Sequence, residues 1–184
     1  MKIFIFLFTL FVSLISNSLY SRPAENNNLV ESDTIEVNVD SIMSLMAEKA
    51  VIDKGFTLEA DKVEFKYGQT AFVNSNTNFV SVNGDNAVVQ VAFNVPALGP
   101  NGLGGITLEG IISNYKVNKD KKGNIDISMN VTGTGISARV TISLFAESNK
   151  ASVTILPNFN SNRITLVGVI VPSHMSKVFK GSSI

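Results

Sequence analysis

Cysteine and tryptophan are both missing from this sequence of 184 residues, and histidine occurs only once. Without cysteine the chain forms no disulfide and offers no lipoprotein acylation site. A single histidine with no cysteine also fails to supply a usual zinc site. The core must therefore hold the fold together by packing alone, and we expect neither a metal nor another cofactor.

Charged residues are scarce as well, at 16% of the chain, and 15 basic side chains balance 15 acidic ones. A net charge of zero gives no long-range field toward a polyanion, so nucleic acid is not an expected partner. Apolar residues make up 45% of the sequence, which is enough to bury a core in one domain of this length.

The N-terminus has the features of a secretory signal. Lys2 supplies a positive charge, residues 3–15 are an apolar run, and small residues such as Ser18 and Ser21 leave two cleavage points open. A helix over this run would span about 20 Å, short of the roughly 30 Å hydrocarbon core of a membrane. A cleaved signal is therefore favoured over a membrane anchor.

These features predict an exported, periplasmic, soluble protein that is not a lipoprotein. Residues 1–21 are the expected signal peptide, and the polar residues 22–40 are an expected flexible lead-in. No later run of about 18 apolar residues occurs, so no transmembrane segment is expected after signal removal.

Residues 41–54 have the periodicity of an amphipathic helix. Asp40 or Ser41 is the expected N-cap, and Gly55 is the expected C-terminal cap. The apolar positions that should face the rest of the domain are Ile42, Leu45, Met46, Ala50 and Val51.

After the helix the apolar period changes to two, which is typical of antiparallel strands with one buried face. The alternation is clearest in residues 125–131 and 136–144. It changes phase at Asp61–Lys62, which predicts a bulge or a turn. Gly84–Asp85, between two apolar segments, predicts a hairpin.

The C-terminal part of the chain completes the pattern. Residues 163–171 are apolar on both faces, so we expect a helix or loop to cover the outer one. Ser173 opens a short helical turn that Gly181 should end, with three apolar side chains inward. These are Met175, Val178 and Phe179.

Eight or nine short strands without intervening helices indicate an all-β fold over residues 41–184. An antiparallel meander or up-and-down barrel is favoured, with the helix at its N-terminus and the helical turn at its C-terminus. A β-sandwich is the alternative, because strand patterning alone does not separate the two.

Several short motifs occur in order over residues 40–184, namely Phe56–Asp61, Phe79–Asp85, Gly105–Gly110, Leu166–Gly168 and Ser176–Gly181. Taken together, they resemble those of a known family, the domain of unknown function 4251 family. The resemblance implies an exported protein of Gram-negative bacteria with a β-barrel of lipocalin-like topology. It implies no catalytic residues and no established ligand.

The glycine-rich loop over residues 99–105 invites a phosphate-binding interpretation, but Thr107 stands where a dinucleotide fingerprint needs its third glycine. Gly99, Gly102 and Gly104 are more typical of a connection at a barrel mouth, where they would gate a ligand. Phe93 precedes this loop on the predicted inward face of its strand and is a further candidate ligand contact.

Two other chemical interpretations are weaker. Residues 118–129 echo a calcium loop, but Lys122 and Met129 occupy positions that need oxygen ligands, so a charged turn is expected. Glu109 lies near an expected phase change at Gly110 and would serve a hydrolase only if it pointed inward with a raised pKa. An outward Glu109 is the favoured interpretation, and His174 is expected at the surface.

Three functions follow in order of preference. The first is a non-catalytic module that binds a small apolar or amphiphilic ligand inside a lipocalin-like barrel. The second is a structural or interaction module with a filled barrel and an envelope protein as partner. The third, far behind, is a carboxylate-based hydrolase.

Overall fold

The structure, a computed structural model, describes residues 38–92, 105–158 and 163–183. The expected signal peptide, most of the expected lead-in, Phe93 and residues 99–104 of the glycine-rich loop lie outside these ranges. The elements are α1 (Val39–Ile52), β1 (Gly55–Phe65), β2 (Thr70–Phe72), β3 (Phe79–Asn83), β4 (Asn86–Ala92), β5 (Gly105–Lys119), β6 (Ile125–Thr132), β7 (Ser137–Leu144), β8 (Lys150–Pro157), β9 (Ile164–Pro172) and a 3-10 turn (Ser173–Met175).

Eight antiparallel strands close into a barrel. Strands β3 to β9 pair in chain order, and β1 joins the two edges by pairing with β3 on one side and β9 on the other. The short β2 pairs with the second half of β1, where Lys62 faces Phe72. Because the β1–β9 pairing closes the sheet, the predicted barrel is confirmed and the sandwich alternative is wrong.

The predicted phase slip in β1 is a β-bulge. The register against β9 shifts between Ala60 and Lys62, which leaves Asp61 as the extra residue. Gly168 lies opposite this bulge, and a Cβ atom there would come within 1.9 Å of the Glu59 carbonyl oxygen. The close approach of the two strands therefore requires glycine at this position.

The inward side chains of the alternating strands form the core, as the pattern predicts. The predicted hairpin is also present, because β3 and β4 are joined by Gly84–Asp85 with Gly84 at a φ of 58°. The outward valines of β9 are half-buried. The fully buried core side chains include Phe56, Leu58, Val63, Ile127, Ile142, Leu166 and Ile170.

Helix α1 begins and ends earlier than the sequence predicts. Asn38, not Asp40 or Ser41, is the N-cap, and its Oδ1 accepts hydrogen bonds from the backbone N–H groups of those two residues at 3.1 and 3.4 Å. The helix ends at Ile52. Lys54 adopts the left-handed φ of 53°, and Gly55 already belongs to β1, so Gly55 is not the helix cap.

The buried face of α1 agrees with the prediction at Ala50 and Val51 and differs from it at Ile42 and Leu45. Ala47, Ala50 and Val51 are buried, whereas Ile42 and Leu45 are 42% and 67% exposed. Apolar residues occur on both sides of this helix, so periodicity alone did not identify the packed side. Two alanines allow the helix backbone to approach the sheet closely, and α1 contacts β1 and β9.

The predicted C-terminal helical turn is confirmed only as the 3-10 turn. Residues 176–183, which we call the C-terminal strap, run without helical or strand structure across the outside of the barrel, where Ser176 Oγ donates to Glu59 at 2.7 Å. Met175 and Phe179 are 43% and 61% exposed, so their predicted inward orientation is wrong. Gly181 therefore ends no helix. Its N–H donates instead to a glutamine side chain of β4.

Candidate functional site

One end of the barrel is capped by helix α1. The Tyr115 hydroxyl on β5 donates a 2.7 Å hydrogen bond to the carbonyl oxygen of Val51 in the helix. Burial raises the pKa of Tyr115 to about 12, because the phenolate would be poorly solvated there. Lys119 at the end of β5 pairs with Glu48 of the helix at 2.7 Å. These contacts hold α1 against the strand ends.

The barrel interior is filled from this capped end to its middle. Phe56 enters from the start of β1, and Ile127 and Ile142 face each other on β6 and β7. Met129 and Val140 form the next pair and are equally buried. The described side chains therefore leave no wide calyx through this half of the barrel.

The opposite end contains an apolar pocket of about 80 Å³. It lies where strands β4, β5, β7, β8 and β9 begin or end, and its walls are inward side chains of those strands. All nine lining residues are apolar. They are Val89, Val91, Ile106, Leu108, Ile136, Ala138, Ile155, Pro157 and Ile164.

The pocket volume limits what this end of the barrel can hold. Sites for whole small-molecule ligands usually measure about 300–1,000 Å³. An engineered apolar cavity of about 150 Å³ holds benzene and stays dry. At about 80 Å³ the pocket is suited to the end of an apolar chain or to one apolar side chain, with the remainder of the ligand outside.

The side chains that line the pocket are suited to binding an apolar group. None of its lining residues carries a nucleophile, an acid, a base or a metal ligand. Affinity must come from the burial of apolar surface, at about 0.8 kcal/mol for each methylene group. The remainder of the described chain has no group of three or more His, Cys, Asp and Glu side chains that would hold a metal ion.

Glu109 is not part of this pocket. It lies on the outer face of β5, where Lys180 Nζ of the C-terminal strap pairs with its Oε2 at 2.7 Å. The hydrogen bond from Lys180 lowers the pKa of this carboxyl below its ordinary value of 4.5. The inward alternative with a raised pKa is therefore wrong, and the outward interpretation is confirmed.

The physical reason is the position of the phase change in β5. Alternation continues unbroken past Gly110, and the register shifts only between Ser113 and Lys116. Leu108 and Ile112 therefore point inward and are buried, while Glu109 between them points outward. His174, expected at the surface, is exposed.

The other four candidate ligand contacts, Phe93, Gly99, Gly102 and Gly104, lie outside the described residues and remain predictions. The strands on either side of that segment do contribute to the pocket. Val91 near the end of β4 pairs with Ile106 near the start of β5, and both line it.

Sequence reasoning missed most of the pocket wall and one buried polar cluster. Ile106, Ile136 and Ile164 were available as apolar residues at the ends of strands, but the pattern alone does not show which end of the barrel contains a pocket. Gln90 and Thr107 are outward residues that are fully buried beneath the C-terminal strap. A single glutamine inside the apolar run of β4 was the signal that could have found them.

Within the described ranges, no helix is long and apolar enough to cross a membrane. Comparison with known proteins indicates no catalytic family. No curated protein matches the chain.

Two comparisons do identify relatives of the chain. A family model for a domain of unknown function, DUF4251, matches residues 45–170. The crystal structure of a DUF4251 family protein from Bacteroides eggerthii, at 1.95 Å resolution, is 49% identical in sequence. The match covers 79% of this chain and 97% of that one, with a TM-score of 0.68. The chain therefore belongs to the DUF4251 family.

Proposed function

We propose that the protein is a non-catalytic binding protein of the bacterial envelope that holds the end of an apolar chain in its barrel, at the end opposite helix α1. The ligand is an amphiphile whose apolar tip enters the pocket and whose polar part stays in solvent. The pattern of residues 1–21 supports export, and the protein acts as a soluble periplasmic component.

The single observation that supports this proposal is the all-apolar pocket at the end of the barrel opposite helix α1. Four buried methylene groups would contribute about 3 kcal/mol. A free energy of this size corresponds to weak binding, with a dissociation constant of roughly millimolar order or higher for the tip alone. Tighter binding would require contacts between the polar part of the ligand and the barrel rim.

The test uses isoleucine methyl groups as reporters of binding. Four isoleucines line the pocket, whereas Ile111 lies on the outer face of β5 and is 65% exposed. We would label the isoleucine δ1 methyl groups and titrate the protein with a series of linear carboxylates from butanoate to decanoate. Saturable NMR shifts are expected at Ile106, Ile136, Ile155 and Ile164, with Ile111 unchanged.

Three variants complete the test, and one of them is a matched control. Ile106→Ala removes part of the pocket wall, and Ile111→Ala makes the same change on the outer face of the same strand. Ala138→Leu fills the pocket from the inner face of β7. Binding should weaken in Ile106→Ala, disappear in Ala138→Leu and persist in Ile111→Ala. Equal effects of both isoleucine variants would refute the proposal.

A filled barrel that acts through its surface is the second candidate. The observations that favour it are the packed interior and the exposed apolar residues of α1, where Val39, Leu45 and Ile52 are 66%, 67% and 60% exposed. Native mass spectrometry of the protein purified without detergent from its host separates the two. A discrete bound small mass supports the proposal of an apolar ligand in the barrel, and the mass of the protein alone supports a function of its surface.

A further inference from the structure

The outer face of the barrel carries a concave region, which we call the outer groove. It has a volume of about 420 Å³ and lies on strands β5, β6 and β7. Apart from the buried Met129, its lining residues point outward, so the barrel wall separates it from the apolar pocket. The polar residues that line it are Asn114, Lys116, Ser128, Asn130, Arg139 and Thr141.

A bulge in β5 accompanies this groove. The register between β5 and β6 shifts between Ser113 and Lys116, and Asn114 within the shift adopts a left-handed φ of 56°. Tyr115 is half-buried and bonded to the carbonyl of Val51, as described above. A bulge bends its strand and redirects side chains, and such features are frequent beside functional sites. Here it brings Asn114 to the rim of the groove.

The strand register places the two basic side chains of the groove around its neutral polar ones. Asn130 faces Arg139 across the β6–β7 pair. Ser128, the next outward residue of β6, faces Lys116 across the β5–β6 pair. With strands about 4.8 Å apart and a rise of about 3.3 Å per residue, the Cβ atoms of Lys116 and Arg139 lie roughly 12 Å apart. Both side chains are long enough to meet one small ligand above Ser128 and Asn130.

The groove is positively charged, and its polar side chains have no partner among the described side chains. Among the described residues, no carboxylate lies within ion-pair distance of Lys116 or Arg139, and no side-chain hydrogen bond engages the six polar lining residues. Asp126, two residues from Ser128 on the same face of β6, already accepts a 2.7 Å hydrogen bond from Ser143. The lining itself contains no acidic residue.

We propose that the outer groove is a binding site for a phosphate group, carried either by a soluble phosphate ester or by a phospholipid headgroup. Arg139 offers a planar pair of N–H donors that matches two oxygens of a tetrahedral anion. Lys116 supplies a second positive charge. The hydroxyl groups of Ser128 and Thr141 and the amide of Asn130 supply neutral donors between them.

The test compares two double variants with the same change in net charge. Lys116→Gln with Arg139→Gln removes both cations of the groove. Lys121→Gln with Lys150→Gln removes two exposed lysines that lie outside it and have no described ion pair. The probes are inorganic phosphate, glycerol 3-phosphate and vesicles of phosphatidylglycerol in phosphatidylcholine. Circular dichroism verifies that each variant is folded.

Binding is followed by backbone NMR shifts at Ser128, Asn130 and Thr141 and by vesicle co-sedimentation. The groove variant should weaken binding by at least about tenfold, because one hydrogen bond to a charged group changes an equilibrium constant by roughly ten- to a hundredfold. The control variant should stay within about twofold, since exposed charges outside a site contribute little.

The outcomes distinguish the two sources of the phosphate group and include two results that would overturn the proposal. Saturable shifts with glycerol 3-phosphate but no vesicle binding assign a soluble ester, and vesicle binding alone assigns a headgroup. Equal weakening in the two double variants would mean nonspecific charge attraction and would overturn the proposal. The absence of binding to all three probes would overturn it as well.

Discussion

Gln90 is the residue whose replacement tests the architecture most sharply. It points outward from β4 yet is fully buried beneath the C-terminal strap. Its Nε2 donates to the carbonyl oxygens of Thr77 at 3.0 Å and Phe179 at 2.8 Å. Its Oε1 accepts from Thr107 Oγ1 at 2.9 Å and from the Gly181 N–H at 2.8 Å. Every donor and acceptor of the amide is therefore satisfied.

The substitution Gln90→Met keeps the approximate shape of the side chain and removes all four bonds. At about 0.5–1.5 kcal/mol for each bond, the loss would be roughly 2–6 kcal/mol. The two partners in the strap can regain hydrogen bonds with water if the strap lifts, because residues near them are exposed. We therefore expect about 3 kcal/mol of destabilisation, toward the lower end of that range.

Urea unfolding gives the free energy, and hydrogen exchange of the Gly181 amide reports whether the strap has detached. The matched control is Gln69→Met, because Gln69 is exposed and should change stability by no more than about 0.5 kcal/mol. A Gln90→Met protein that loses less than about 1 kcal/mol and keeps the Gly181 amide protected would refute the reasoning.

Three further predictions concern the bulge, the capped end and the strap. Gly168→Ala should cost more than about 3 kcal/mol in thermal or urea unfolding, because its Cβ would lie 1.9 Å from the Glu59 carbonyl oxygen; an unchanged midpoint would contradict this. Tyr115 should ionise with a pKa of about 12 in the folded protein, against about 10 in the unfolded chain. Its contribution to stability is therefore present below pH 10 and is lost as the pH rises toward 12. The Tyr115→Phe variant should lack this late step in a titration followed by phenolate absorbance. Lys180→Ala should lower the free energy of unfolding by less than about 1 kcal/mol, because the ion pair between Lys180 and Glu109 is about half exposed. This loss should vanish as the pH falls below the lowered pKa of Glu109. A larger loss that persists in acid would contradict the assignment.

The barrel was predictable because its signals are local. A strand with one buried face repeats every second residue, and Ile125, Ile127, Met129 and Val131 are all buried as that period requires. The slip at Asp61–Lys62 was visible for the same reason, since a bulge reverses the phase within one strand. Closure of the barrel, in contrast, depends on the pairing of β1 with β9 and has no local signature.

The errors arose where long-range packing decides the outcome. Ile42 and Leu45 are apolar and correctly spaced, but the buried face lies over Ala47 and the correctly predicted Ala50, whose small side chains permit a closer approach to the sheet. The strap was expected to be helical because Ser173 and Gly181 resemble helix signals. Hydrogen bonds between the strap and Gln90, distant in sequence, hold it in an extended course instead.

The two binding proposals are separable because Ala138 and Arg139 are neighbours in β7. Side chains of successive strand residues point to opposite faces, so Ala138 lines the apolar pocket and Arg139 lines the outer groove. Ala138→Leu should abolish the response of the pocket methyl groups to alkyl carboxylates and leave phosphate binding intact. Arg139→Gln should have the reverse effect. If each substitution disturbed both ligands, the sites would not be independent, and one shared ligand that passes over the rim would replace the two proposals.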